Sequence, residues 1–471
     1  MKKKINYLSL LLLIITLPLF TMSCSDKPEI IKETPVPPPV ILTPSITSLS
    51  PENGTGGTEV TISGDNFGND MKEVKVAFGS TNVELIMFSR QKIKVKAPSG
   101  DSNTTVNVII SVGDKVSNKK EFFYNKIPPS IASMTETCFY NSTVVITGDN
   151  FSTNKEENIV KFGTTKATVT EATRTSLHVI TPDLGDVTNT EVTVTGSDGT
   201  SNAKTITVDV DQSKINRFDW TTHTVKPGVI YKKGIFSLFG TAQRRIYILD
   251  VTLNATNTLG IGFSTSNVAT TTMCKNYDAV AGVNAGYFPM SGATAEKDPY
   301  IRINGVEVQK GHAVTSAMFT NSALIIHNNV AKVRKFTEFV TNLNQIAAAI
   351  PVSEAENIIV CGPILLASNE IESQNMSNSH NTSKTARTGL GVTADGKRVF
   401  MVVVDSGDGF TGVTTPELAK ILQALGAVDA MNFDGGGSST MFIKDQGDNG
   451  RVNFPYGNTT QRAVRSVIYV K

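Results

Sequence analysis

Three groups of polar and glycine residues in the C-terminal half of the sequence sit directly behind apolar runs. "AVDAMNFDGGGSSTMFI" (Ala427–Ile443) sets Asp434, Gly435, Gly436, Gly437, Ser438, Ser439 and Thr440 between two apolar stretches. "GVNAGYF" places Asn284 two residues before Gly286, "ARTGLGV" brings Arg387 into a strand, and "VVVDSGDGF" ends a strand on Asp405 and Asp408. Successive glycines let backbone N–H groups converge on an anion, because no Cβ blocks close approach or a positive φ. Ser438, Ser439 and Thr440 add hydroxyl donors. Arg387 supplies a forked, permanently charged clamp suited to phosphate oxygens, and Asp434, Asp405 and Asp408 supply carboxylates. A sugar carrying a phosphate would use every one of these groups.

Singly, each has a plainer reading: a glycine turn, a surface ion pair at Arg387, a hairpin turn at Asp405 and Asp408. The glycines are not a nucleotide P-loop, since no Gly-Lys-Ser or Gly-Lys-Thr follows. Asp405, Asp408 and neighbouring carbonyls leave room for Ca²⁺, although the spacing demands no metal. His178, His223, His312, His327 and His380 are scattered, His380 in the polar stretch "SQNMSNSHNTSKT". No metal-ligand pair or Ser-His-Asp order emerges, which argues against a serine hydrolase built on Ser438.

The elements that must position these residues are legible as hydrophobic patterns. "RRIYILDVTL", "LGIGFST" and "YDAVAGVNAGYF" read as strands, the last running into a turn, and "RVFMVVVDSGDGF" as a buried strand ending in a turn. "TPELAKILQALGA" has Leu418, Ile421, Leu422 and Leu425 at helical spacing, with Thr415 and Pro416 suited to its start and Gly426 to its stop. Residues 213–471 thus read as an α+β domain, a mixed sheet with helices.

Upstream lies an internal repeat. "PSITSLSPENGTGGTEVTISGDNFGND" leads to "VKVAFGS", and "PPSIASMTETCFYNSTVVITGDNFSTN" leads to "VKFGTTKATV". Each copy carries period-2 strands divided by Gly, Asn, Asp and Pro, the pattern of a small β-sandwich over 44–126 and again over 127–212. Alternation puts Val60 and Ile62, and Val144 and Ile146, on buried faces. The Asp and Asn of each "GDNF" read as turn chemistry rather than a calcium site.

The repeat, through "GDNF" followed by Val-x-Phe-Gly or its close variant, resembles IPT/TIG immunoglobulin-like domains, which implies two all-β immunoglobulin-like sandwiches acting as spacers or carbohydrate-contacting modules. From about Val225 to Lys471 the chain resembles the phosphodiester glycosidase family, relatives of the lysosomal "uncovering enzyme" that removes N-acetylglucosamine from a phosphodiester cap. The resemblance is carried in order by "YDAVAGVNAGYF", "ARTGLGVTADGKRVFMVVVD", "TTPELAKILQALGAVDAMNFDGGGSSTMF" and "QRAVRSVIYV". Ala285 and Tyr287 stand where relatives often have Gly and Phe. Motif positions are Asn284, Arg387, Asp405, Asp434, Gly435, Gly436, Gly437 and Ser438.

The reaction so implied is hydrolysis of a sugar-1-phosphodiester to free sugar and phosphomonoester. Asp434 is the first choice for the carboxylate that activates water or stabilises the anomeric carbon, and Asp405 the second. Arg387 and the Gly435–Gly437 amides would stabilise the leaving phosphate. Asn284 and Ser438 would orient hydroxyls or phosphate oxygens, with Ser439 and Asp408 alongside. The rivals are a glycan-binding surface lipoprotein and a phosphodiesterase cleaving P–O bonds in cell-wall or capsular polymer.

The ends of the chain fix its context. "MKKK" and the apolar "INYLSLLLLIITLPLF" make a secretory signal over 1–23, and "TMSC" resembles a lipoprotein signal in which Cys24 is lipidated. An uncleaved membrane anchor is the alternative, although the apolar run is short for a span. A proline-rich spacer, 24–43, would then tether the protein to a cell-envelope membrane, periplasmic or outer-surface. Of the four cysteines, Cys138, Cys274 and Cys361 remain. They allow at most one disulfide, Cys274–Cys361 being the pair within one domain, and each reads as a buried free thiol. Across 471 residues the net charge is +2, which gives no footprint for nucleic acid.

Overall fold

The structure, a computed structural model, describes residues 42–289, 299–310, 320–336, 349–373, 378–457 and 460–471. Cys24, the signal segment and nearly all of the spacer lie outside the described residues, as does His312. The first sandwich belongs to one compact unit ending at Asn125, and the chain from Lys126 to Lys471 forms another.

The two repeats fold alike. In each, a four-stranded sheet (Ser45–Ser50, Glu59–Asp65, Lys92–Lys96, Leu85–Phe88 in the first copy) faces a second sheet centred on Val74–Phe78, Thr105–Val112 and Lys120–Tyr124. The second copy repeats this order with Ser130–Met134, Thr143–Asp149, Ser176–Ile180 and Thr168–Ala172 against Ile159–Phe162, Asn189–Gly196 and Lys204–Val208. Val60, Ile62, Val144 and Ile146 are all buried, as their alternation requires. In "GDNF", Asn66 and Asn150 adopt left-handed φ of 60° and 62°, and Phe67 and Phe151 plug the two cores. Asn118 and Asn202 also match. Each side-chain amide accepts from and donates to the backbone of Ile46 or Ile131, pinning the first strand of its sandwich.

The C-terminal domain is β-rich. An eight-stranded sheet runs in the order Thr221–Lys226, Val229–Ser237, Gln243–Thr252, Arg398–Val404, Arg387–Val392, Asp429–Asn432, Ile364–Ala367, Glu370–Ile371. A four-stranded sheet is ordered Leu259–Ala269, Ala463–Val470, Ala281–Asn284, Met441–Ile443, and a five-stranded sheet surrounds Asn357–Cys361. Helices are few, so the α+β expectation holds only in part. The mixed sheet is not observed, since every pairing described from Thr221 onward is antiparallel. The physical reason is the connections: short turns such as those between Ser237 and Gln243, or Val392 and Arg398, close hairpins and leave no room for the crossover that parallel neighbours need.

Alternation along the central strands sorts the core into two layers. Tyr247, Leu249 and Val251 join Val283, Leu390, Met401 and Ile468 between the sheets, whereas Ile246, Ile248, Phe400 and Val402 pack under the Thr415–Ala424 helix. That helix starts as its sequence suggests, with a capping box in which Thr414 and Glu417 satisfy each other's backbone N–H. It presses close to the sheet at Gly389, where a Cβ would lie 2.9 Å from Leu418 Cδ2. Cys138, Cys274 and Cys361 are buried free thiols. Among the described residues no helix is long and apolar enough to cross a membrane.

A short helix, Val210–Arg217, joins the second sandwich to this domain and bonds to both. Its N-cap Asp209 takes the Gln212 amide at 2.9 Å and pairs with Lys420 at 2.6 Å. Gln212 reaches the Lys420 carbonyl and Gln423. On the sandwich side, Ser213 accepts from the Tyr140 amide, Asn216 donates to the Tyr140 carbonyl, and Arg217 pairs with Asp186 at 2.9 Å.

Candidate active site

Register brings the polar clusters together. Arg387 at the start of its strand pairs with Val404, Asp405 follows Val404, and Gly389 pairs with Asn432, so three strand ends meet at one edge. The Ala281–Asn284 strand arrives from the other sheet. There Asn284 Oδ1 accepts from the Thr388 hydroxyl at 2.7 Å and the Thr440 amide at 3.0 Å, while Nδ2 donates to the Asp434 carbonyl at 2.7 Å. Asn284 is fully buried. Its amide is thus engaged with the backbone and framework of the glycine loop, where the sequence suggested a substrate contact.

Asp434 is half-buried at the loop's start, its amide donating to the Ala285 carbonyl at 2.8 Å. Its charge is felt by two buried neighbours. Burial first, then the neighbouring Cys361 and Asp434, raise the Tyr287 phenol well above its ordinary range, and burial with Asp434 adding pushes the Cys361 thiol up to about 12. The nest is narrower than three glycines imply. The Gly436 amide donates to the Ala386 carbonyl at 2.7 Å, while among the described residues no acceptor takes the N–H of Gly435 or Gly437. Ser438, Ser439 and Thr440 are fully buried, with hydroxyls that have no partner among the described residues. They face the interior rather than solvent.

Arg387 is 1% exposed. Nε donates to the Val413 carbonyl at 3.0 Å, and Nη2 to the carbonyls of Ser383, at 3.0 Å, and of His380. Nε and Nη2 are therefore turned onto main-chain oxygens. No carboxylate pairs with it among the described residues; Glu417, which acts on it at a distance, is itself held by Lys384 at 3.2 Å. Burial lowers its pKa. Among the described residues a buried guanidinium bonded to carbonyl dipoles, with Glu417 acting only at a distance, leaves a positive field behind the loop.

Asp405 is 0% exposed and surrounded by donors: Asn453 at 2.9 Å, the Tyr247 hydroxyl at 3.1 Å, the Phe454 amide at 3.4 Å, and an ion pair with Arg245 at 3.2 Å. Burial outweighs them and raises its pKa. It ties the Gln243–Thr252 strand to the 452–454 segment from inside the protein. Asp408 is exposed at the rim, in a left-handed turn with φ 53°, its carboxylate against Gly457. Among the described residues no three His, Cys, Asp or Glu side chains cluster for a metal, and the engaged Asp405 does not offer Ca²⁺ an open ligand.

Four residues that sequence reasoning passed over line the same place. Tyr287 donates to the Gly362 carbonyl at 2.7 Å, meets His380 Nε2 at 3.1 Å and accepts from Asn432 at 3.1 Å. Burial, with the Arg387 charge adding to it, lowers the His380 pKa to about 4, so the imidazole is neutral. Tyr456 puts its hydroxyl 3.6 Å from where a Cβ on Gly436 would sit, and Arg462 lies over Gly437, where a Cβ would stand 2.6 Å from Nη2. "QRAVRSVIYV" contained Arg462, but nothing in its spacing tied that end of the chain to the glycine loop.

Residues 277–471 match the family model for phosphodiester glycosidases, and residues 44–124 and 129–208 each match the IPT/TIG domain model. No curated protein sequence matches the chain. Among solved structures it is similar to the zebrafish N-acetylglucosamine-1-phosphodiester alpha-N-acetylglucosaminidase catalytic domain auto-inhibited by its pro-peptide, at 18% identity, covering 53% of this chain and 85% of that one with a TM-score of 0.40. It is also similar to a hypothetical protein from Synechocystis, at 13% identity over 88% of this chain and 94% of that one with a TM-score of 0.37. A surface glycan-binding protein from Prevotella bryantii aligns at 11% identity over 89% of this chain and 92% of that one, with a TM-score of 0.25. Likeness of this size does not bear on function.

Proposed function

We propose that this chain, which carries a phosphodiester glycosidase family domain behind two IPT/TIG domains, hydrolyses sugar-1-phosphodiesters to free sugar and phosphomonoester. The observation that carries the reading is one convergence: the half-buried Asp434 beside the Gly435 and Gly437 amides, which no described residue takes, backed by the buried Arg387, which no carboxylate pairs with among the described residues. A phosphomonoester is a good leaving group, so the demand falls on stabilising its developing charge rather than on a strong acid. Preorganised N–H donors and a fixed positive field meet that demand. Asp434 polarises water towards the anomeric carbon and takes its proton. Asn284, Thr388 and Ala386 hold the loop in register, and Asp405 supports it from within. Arg387 acts as a positioning residue and a source of field.

The substrate class is a phosphorylated glycan or glycoconjugate, N-acetylglucosamine-1-phosphodiester-like, and the protein works in the cell envelope, lipid-anchored at Cys24. That anchoring rests on the N-terminal sequence pattern alone.

The test is turnover of a synthetic N-acetylglucosamine-1-phosphodiester by the chain beyond Cys24, beside Asp434→Asn, in ¹⁸O-labelled water. Label in the sugar, with loss of turnover in the variant, supports C–O cleavage. Label in the phosphate assigns the P–O alternative. No turnover, with oligosaccharide bound instead, moves the reading to a glycan-binding lipoprotein.

A further inference from the structure

We propose that the diester lies across the Gly436–Gly437 peptide with a fixed polarity, its sugar ring against Tyr456 and its phosphate against Arg462. The proposal rests on the hydrolase reading above and adds the two residues that would read the two halves of the substrate.

Tyr456 is a bulky residue at a left-handed φ of 58°. Such a conformation is rare for an aromatic residue and costs on the order of 1 kcal/mol or more. It is imposed from behind: the Tyr456 amide donates to the Ser406 carbonyl at 2.5 Å, and the chain packs onto Gly407, where a Cβ would lie 2.8 Å from Tyr456 Cα. Burial of the ring does not offset that strain, since Tyr456 remains 41% exposed. Its hydroxyl is bonded to the Thr385 hydroxyl and stands over Gly436. A partly exposed ring held rigidly at a glycine loop matches what a pyranose needs, an apolar face for its C–H groups and a polar tip for a hydroxyl.

Arg462 provides the opposite chemistry one residue along. Its guanidinium rests over Gly437, it is exposed, and it has no ion-pair partner among the described residues. Among the described residues no acceptor takes the neighbouring N–H groups of Gly435 and Gly437. A planar permanent cation beside two free amides is a donor set for phosphate oxygens. Arg387, by contrast, has its Nε and Nη2 on carbonyls. With the sugar on one side of the peptide and the phosphate on the other, the anomeric carbon lies near Asp434. Water's oxygen then bonds to that carbon and its proton passes to Asp434. The C–O bond breaks with its electron pair on the phosphate oxygen, and Asp434 afterwards releases the proton to solvent.

Crossed inhibition tests the polarity. Inorganic phosphate and free N-acetylglucosamine are measured as inhibitors of diester turnover in wild type, Arg462→Ala and Tyr456→Asn. Asparagine tolerates the left-handed backbone while removing the ring. Arg462→Ala should weaken phosphate inhibition by about 10-fold or more, the worth of one charge-assisted pair, and leave sugar inhibition unchanged. Tyr456→Asn should do the reverse. Equal effects on both inhibitors, or none, overturn the proposal. Should wild type turn over no diester, the hydrolase reading fails, and direct calorimetric binding of phosphate and of sugar to the same three proteins decides the polarity by itself. Failure of wild type to bind either one also overturns it.

Discussion

The side-chain amide of Asn284 donates to the backbone carbonyl of Asp434 at 2.7 Å, linking residues 150 positions apart. With its oxygen it takes the Thr388 hydroxyl and the Thr440 amide, so one buried side chain fixes both ends of the glycine loop. Asn284→Ala leaves these groups buried and unpaired. It should lower stability by about 3 kcal/mol, near the upper end for loss of a buried polar partner. Urea unfolding checks this. Asn284→Asp either buries a carboxylate against the Asp434 carbonyl or must hold a proton to donate to it, so it should cost at least as much stability as Asn284→Ala.

The three glycines should respond differently to alanine. At Gly435 a Cβ meets the Ala386 carbonyl oxygen at 2.9 Å, a backbone atom that cannot easily move, so Gly435→Ala should destabilise by about 1–3 kcal/mol. Gly436 has room but a φ of +61°, and should lose about 1 kcal/mol for the backbone conformation. At Gly437 the clash is with the far end of Arg462, which swings away cheaply. Gly437→Ala should therefore melt near wild type while losing phosphate affinity. Thermal unfolding beside phosphate inhibition separates the three.

Arg387→Met removes the charge and the bonds to Val413, Ser383 and His380. Part of the depression of the His380 pKa comes from that charge. An NMR titration should find the imidazole moving up from about 4 towards its ordinary range, and hydrogen exchange should show loosening at 380–383. An unmoved His380 would mean that the guanidinium exerts no field there.

His380 itself gives a pH window. Its folded pKa of about 4 lies below the ordinary 6.5, so between those values the unfolded chain binds a proton that the folded chain does not. Stability should fall as pH drops from 6.5 to 4 and flatten below that, by at most about 3 kcal/mol from this group. Unfolding free energies at pH 7 and pH 4.5 should differ less for His380→Gln than for wild type.

The strands, the capped helix and the sandwich repeat were readable because each rests on short-range pattern: Val60 and Ile62 on alternation, Leu418 and Leu422 on helical spacing, "GDNF" on turn chemistry. The glycine loop was readable as a place where backbone must come close to something. Which side chains face that place was not readable. Arg387, Asn284 and Asp405 carry the right chemistry, yet long-range packing turns them onto carbonyls, loop amides and an internal ion pair. Tyr456 and Arg462 reach the loop through tertiary contacts that leave no periodic trace. The antiparallel pairing throughout the described strands from Thr221 onward followed from connection lengths that hydrophobic patterning does not report.

The Val210–Arg217 helix has a bearing on how the protein can be dissected. Asp209 and Gln212 grip Lys420 and Gln423 on the helix that follows Val413, whose carbonyl accepts from Arg387, and the same short helix is bonded to Tyr140 and Asp186. A cut at residue 213 would strip that grip and remove Phe139, which packs against the core containing Leu418 and Leu422, and a cut beyond residue 215 would also remove Ile215 from that core. The smallest excisable piece with an intact candidate site therefore begins near Lys126, and the second sandwich is a fixed part of the frame around that site, not an interchangeable module.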